Sequence, residues 1–192
     1  MKNELLNIIL QIIIIFVLYS NATAIVIYDD GGEHIIDFPI NDGVEIRNSL
    51  TGDPTKIQLV DNGEIGDGLF STDDCEMLIL GGHINDSIYA DDDSIVNIYG
   101  GTIGYMIFAN HDSSIYIYGH DFQIDGLPIN YGKLDISGGR LTGTLFYGDY
   151  INNDLDISST ASVVLIPEPA TLILFGLSGL ILRAAKSKIS RE

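Results

Sequence analysis

The chain of 192 residues has no tryptophan and one cysteine, and sets nine basic residues against 27 acidic ones. Each shortage excludes something. A single Cys75 cannot build a disulfide framework, so any small exported fold here must stand on its core. No Lys or Arg occurs from Ile57 to Gly132, which rules out the basic footprint that nucleic acid requires. The same deficit repels an acidic polysaccharide unless a divalent cation lies between the two. Between Ile25 and Ile166 there are 24 acidic residues and four basic ones, a net charge of −20. That balance favours solubility and cation binding. The stretch is not a disordered acidic tail, because Ile, Leu, Val, Tyr and Phe recur throughout it. It is also long enough for one domain with a core.

What recurs has a period. The dipeptides Asn62-Gly63, Gly81-Gly82, Gly100-Gly101, Gly119-His120 and Gly138-Gly139 begin 19 residues apart. Apolar columns keep the same step: Ile65, Ile84, Ile103, Phe122, Leu141; Val60, Ile79, Ile98, Ile117, Ile136; and Phe70, Tyr89, Phe108, Leu127, Phe146. A fourth column reads Gln58, Met77, Val96, Ile115, Leu134. Within a unit apolar residues alternate, which is strand periodicity, and Gly pairs with Asp/Asn clusters read as turns. The pattern predicts an all-β fold, a short parallel β-solenoid of 19-residue coils over residues 55–157. Equivalent residues then stack about 4.8 Å apart, with an Ile ladder inside and a mostly Phe/Tyr ladder beside it. Residues 25–54 read as a cap or degenerate coil, and 158–166 as a linker. Leu155-Asp156-Ile157-Ser158 repeats Leu134-Asp135-Ile136-Ser137 at 21 residues, which predicts a loop extension over 148–153. An antiparallel β-sandwich is the competing architecture.

Both termini read as addresses. At the amino end, Met1 and Lys2 precede a short apolar core, Ile8 to Leu18, and then Ala22-Thr23-Ala24. This is the layout of a secretory signal peptide cleaved after Ala24 by signal peptidase, following export through the translocon. At the carboxyl end, Pro167-Glu168-Pro169-Ala170-Thr171 is followed by an apolar run to Leu182 and by Arg183, Lys186, Lys188 and Arg191. The uncharged run from Ala170 to Leu182 would span about 20 Å as a helix, short against a hydrocarbon core of about 30 Å. The basic cluster favours keeping that end cytoplasmic. Motif, Gly-containing apolar segment and basic end together resemble the PEP-CTERM sorting domain of Gram-negative bacteria. The resemblance covers residues 167–192. It implies a single transmembrane helix, recognition of Pro167, Glu168 and Pro169 by a membrane exosortase, and release to the cell surface or extracellular matrix of an exopolysaccharide-producing cell. Exopolysaccharide is the partner that this implies.

Chemistry within the body centres on acidic turns. Asp73, Asp92 and His111 share one column, and Asp74, Asp93 and Asp112 the next. Stacked carboxylates repel one another unless screened or bridged, and Ca²⁺ takes six to eight oxygen ligands. A Ca²⁺ site on Asp73, Asp74, Asp92, Asp93 and Asp112 is one reading; the other is that Asp suits turns and faces water. Cys75 shares a small-residue column with Ser94, Ser113 and Gly132. Tyr99, Tyr116 and Tyr118 are expected to face outward as cross-strand aromatic pairs. No catalytic residue is assigned, and the expectation is a structural or binding protein. A polysaccharide-active β-helix enzyme is the alternative.

Overall fold

The computed structural model describes residues 24–136 and 138–168. The expected signal-peptide core with Ala22, the expected motif residue Pro169 and the basic cluster Arg183, Lys186, Lys188 and Arg191 lie outside the described residues. Ala24 is exposed, directly before the first strand. Among the described residues there is no helix, and so none long and apolar enough to cross a membrane.

The chain makes successive circuits of three short strands. The first holds β1 (Ile25–Tyr28), β2 (Glu33–Ile36) and β3 (Pro39–Ile40). The second holds β4 (Gly43–Ile46), β5 (Lys56–Leu59) and β6 (Glu64–Ile65), and the third β7 (Leu69–Ser71), β8 (Glu76–Ile79) and β9 (His83–Ile84). The fourth holds β10 (Ile88–Ala90), β11 (Ile95–Ile98) and β12 (Thr102–Ile103). The fifth opens with β13 (Met106–Ala109) and β14 (Ser114–Ile124), then departs through β15 (Leu127–Pro128), β16 (Gly132–Lys133) and β17 (Gly138–Leu145). The chain returns in β18 (Tyr150–Ile157) and β19 (Ser162–Pro167).

Equivalent strands pair in parallel, giving three walls. One contains β1, β4, β7, β10, β13 and β18; the second β2, β5, β8, β11, β14 and β19; the third β3, β6, β9 and β12. Antiparallel β17 bridges β14 to β18, so the first two walls form one curled, mostly parallel sheet. This excludes the antiparallel sandwich. The apolar alternation turns Leu69, Ile88 and Ile107 inward from the first wall. Met77, Val96 and Ile115 meet them from the second, and Ile65 and Ile84 from the third.

Several register readings are corrected. Over β8, β11 and β14 the step is 19, but Met77 pairs with Ile57, not Gln58. The corner before β6 has an extra residue, and a one-residue slip sends every side chain to the opposite face. Ile57 and Leu59 are therefore buried while Gln58 and Val60 face outward. The segment 25–54, expected as a cap or degenerate coil, is part of the stack: β1, β2 and β3 pair in parallel with β4, β5 and β6. Its register was hidden because the long loop between β4 and β5 stretches the step from Ile40 to Ile65 beyond that of the later circuits.

The largest departure follows Gly119. Gly82 and Gly101 take φ of +78° and +84° at the corner into the third wall, whereas the next position in that column is His120. That corner is not repeated: the chain runs on as the 11-residue β14, in which Asp121 is the left-handed residue (φ +56°) and the pairing with β17 shifts register between His120 and Gln123. Ile115 then pairs with Val163 of β19, far along the chain, and not with Leu134. Phe122 and Leu141 are buried in this excursion instead of extending the third wall, and residues 150–153 belong to β18, not to a loop. Buried Asn153 ends the third wall, donating its amide to Ile103 O (2.9 Å) and Tyr105 O (3.0 Å). The segment 158–166 is likewise no linker. Val163 and Leu165 are buried, with β19 held between β14 and β16.

The slip at β5 is directly testable. Ile57→Ala should cost about 2–5 kcal/mol in urea unfolding, the range for a buried aliphatic truncation. Gln58→Ala should change stability by less than about 0.5 kcal/mol, as surface positions do. The reverse ranking would restore the uniform 19-residue register.

Candidate functional site: the acidic corner

The first and second walls meet in four-residue turns, Thr72–Cys75, Asp91–Ser94 and Asn110–Ser113. In each the fourth residue's N–H donates to the first carbonyl, at 3.4, 3.1 and 3.1 Å. The second turn residue is left-handed each time: Asp73, Asp92 and His111 have φ of +58°, +52° and +48°. Asp and His tolerate that conformation better than most side chains. The corner is also stitched between circuits, as Asp91 N donates to Ser71 O (2.8 Å) and Asn110 N to Ala90 O (2.9 Å).

The last turn position is half-buried Gly32 in the first circuit and buried in the later ones. Thr55, Cys75, Ser94, Ser113 and Ala161 fill it, so Ala161 takes the place expected for Gly132, which lies in β16. A small residue is required because the corner folds tightly over the core. Burial pushes the Cys75 thiol up, and Asp73 and Asp74 add to that against a hydrogen bond from the backbone at Thr55. The thiol donates to Asn48 Oδ1 at 3.5 Å. A raised pKa suits a packed thiol and disfavours a nucleophile. His83 sits exposed on the third wall against Thr102 Oγ1, not beside Cys75.

Four of the five carboxylates considered for a cation come together. Asp73, Asp74, Asp92 and Asp93 line an open hollow of about 530 Å³ with Asn48, whose N–H donates to Asp73 Oδ2 at 3.0 Å. Asp112 is not among the lining residues. A second grouping was not anticipated: one ligand atom each of Asp91, Asp92 and His111 lie within 4.8 Å of one another. His111 Nδ1 bonds Asp91 Oδ1 and stands 3.8 Å from Asp92 Oδ1. The column alignment contained His111, but its partner Asp91 belongs to the preceding turn position and comes from the neighbouring circuit. Asn48 had no sequence signal, since it sits in the irregular loop before β5. Oxygen donors in an open hollow suit hard cations that keep water ligands, and an imidazole extends the set to borderline metals.

The outward aromatic rings spend their faces on each other. Phe70–Tyr89 and Tyr89–Phe108 stack at 4.5 and 4.6 Å with 6° between planes. Tyr99 and Tyr118 stack at 3.9 Å, and burial with the Tyr99 contact pushes the Tyr118 hydroxyl up to about 12. The Phe/Tyr ladder faces outward, opposite the aliphatic core, and bars a ligand from the interior ring faces. At the carboxyl end Pro167 pairs with Gly119, and Glu168 Oε1 lies 3.5 Å from His120 Nε2. His120 Nδ1 in turn meets Asp121 Oδ2 at 2.9 Å.

The Asp91 hydrogen bond, followed by its charge, raises the pKa of His111. A raised folded pKa means this pair supports the fold below the ordinary histidine value, and the support is lost as pH rises through the folded pKa. NMR titration should therefore place the His111 midpoint above about 6.5, and Asp91→Asn should bring it back down. An unchanged midpoint in that variant would remove Asp91 as the cause. Set against protein-family models, curated proteins and solved structures, the chain matches none.

Proposed function

We propose that the chain is an exported protein processed at its carboxyl end by an exosortase. Its body, read at finer grain than a curled parallel sheet, is a short β-solenoid with a structural or binding role at the cell surface or in the extracellular matrix. The observation that carries this reading is the order of the tail: Pro167-Glu168-Pro169, the apolar run, then Arg183, Lys186, Lys188 and Arg191. The amino-terminal signal supplies the matching topology, with the body exported and the basic end retained. Before processing, the apolar run anchors the chain in the inner membrane. Signal peptidase, the translocon and the exosortase are the partners this reading requires, and exopolysaccharide is the matrix component it names.

Two features of the body support it. The last strand runs to Pro167, so a cut at or beyond Glu168 leaves every buried residue of β19 in place. The acidic corner offers oxygen ligands to Ca²⁺, which would also link an acidic surface to an acidic polymer.

Intact mass and fractionation of the native protein test the reading against a variant with Pro167, Glu168 and Pro169 all changed to Ala. Wild type should lack both Met1–Ala24 and the apolar tail and leave the inner membrane, while the variant should stay there with its tail. If both keep Leu172–Arg191 and fractionate together, the tail is a plain anchor.

A further inference from the structure

The tip of the β17–β18 hairpin lies over the corner between the second and third walls. Phe146 N donates to Tyr118 O (2.9 Å) and Tyr147 N to Tyr99 O (3.0 Å), while Leu145 N–H closes the tip on Asp149 O (2.7 Å). Tyr147 and Asp149 are thus positioned by main-chain bonds on both sides. Beneath them Val60 and Leu80 supply an apolar floor, and Asp61 completes a hollow of about 500 Å³. That volume is in the range of small-molecule sites, about 300–1,000 Å³.

The two carboxylates are seated by glycines of successive circuits. Asp61 Oδ1 rests where a Cβ on Gly81 would come within 2.1 Å, and Asp149 Oδ2 accepts the Gly101 N–H at 2.7 Å. Asp149 keeps its second oxygen for another donor. Tyr147 is 58% exposed and meets Phe146 at 80°, a T-shaped contact unlike the stacked ladders. Val60, Asp61 and Leu80 also lie in the long stretch without Lys or Arg. Two anionic acceptors, an aromatic ring and an apolar floor are complementary to a positive charge carried on carbon.

We propose that this hollow binds an alkylammonium group, with the ammonium between Asp61 and Asp149 and its carbon skeleton against Tyr147, Val60 and Leu80. The group belongs to a polyamine or to an amino sugar with a free amine. The proposal rests on the body being a binding module and is independent of how the tail is processed.

Calorimetric titration of the full-length chain in detergent provides the test, with spermidine, glucosamine hexamer and N-acetylglucosamine hexamer as probes. At least one of the two amine probes should bind, and the acetylated hexamer, which has lost the charge, should bind at least tenfold more weakly than the amine form. Which amine binds tighter identifies the source. Tyr147→Ala and Asp61→Asn should each weaken that binding about tenfold, and Tyr147→Phe should retain it. Circular dichroism of each variant checks that the fold persists. Equal binding by both variants and wild type, measurable and equal binding of the two hexamers, or no binding of either amine would overturn the proposal.

Discussion

Parallel pairing of equivalent residues from one circuit to the next is the constraint on which the rest depends. Once Ile88 sits between Leu69 and Ile107, every residue of its circuit meets its own counterpart one strand spacing away. Like therefore stacks on like. Aliphatic residues make a continuous core, aromatic residues make face-to-face ladders, and turn residues make columns of the same charge. The corner carboxylates follow from a rule that also builds the core: a turn that favours Asp will place Asp on Asp. Left-handed Asp73, Asp92 and His111 show the backbone side of the rule, with His111 relieving the column by bonding Asp91 from the previous circuit.

An arrangement that repeats has to end, and the two ends are handled differently. At the carboxyl end β14 runs on past His120 with a register shift before Gln123, and the chain that follows folds back as strands that bridge both walls. Asn153 satisfies carbonyls that a further third-wall strand would have met. The excursion also brings the Tyr147–Asp149 tip over the second-wall corner, so the largest interruption of the repeat creates the hollow assigned to an alkylammonium ligand. At the amino end β1, β2 and β3 each have a single neighbour among the described residues, and the half-buried Tyr28 and His34 lie against each other at 4.7 Å over the end of the core. The carboxylates Asp29, Asp30, Glu33 and Asp37 flank those edges, which discourages strand addition.

Much of this was legible in the sequence where the repeat is uniform. The step of 19 correctly aligned β7 with β10 and β13, and β8 with β11 and β14, because Gly pairs and alternating Ile fix both corners and faces. It failed wherever loop length changed without a change in composition. Gln58 for Ile57 is such a case, since one extra corner residue leaves the apolar pattern intact but inverts it. Leu134-Asp135-Ile136-Ser137 resembles Leu155-Asp156-Ile157-Ser158, yet only the latter reaches the first wall. Short-range similarity does not encode which of two copies returns to the stack. The acidic hollow was half legible: column alignment found its Asp residues, while Asn48, and the separate contact of Asp91 with His111, could not be read without the neighbouring circuit.

The strand that completes the second wall runs to Pro167, so no spacer separates the body from the proposed sorting motif. Hydrogen exchange on the protein, read at Val163, Val164 and Leu165, tests that junction most directly. The account predicts that amides of these residues bonded into the ladder exchange as slowly as those of Ile115 and Ile117 beside them. Exchange at the rate of an unstructured chain would make this segment a tether and separate the body from its signal.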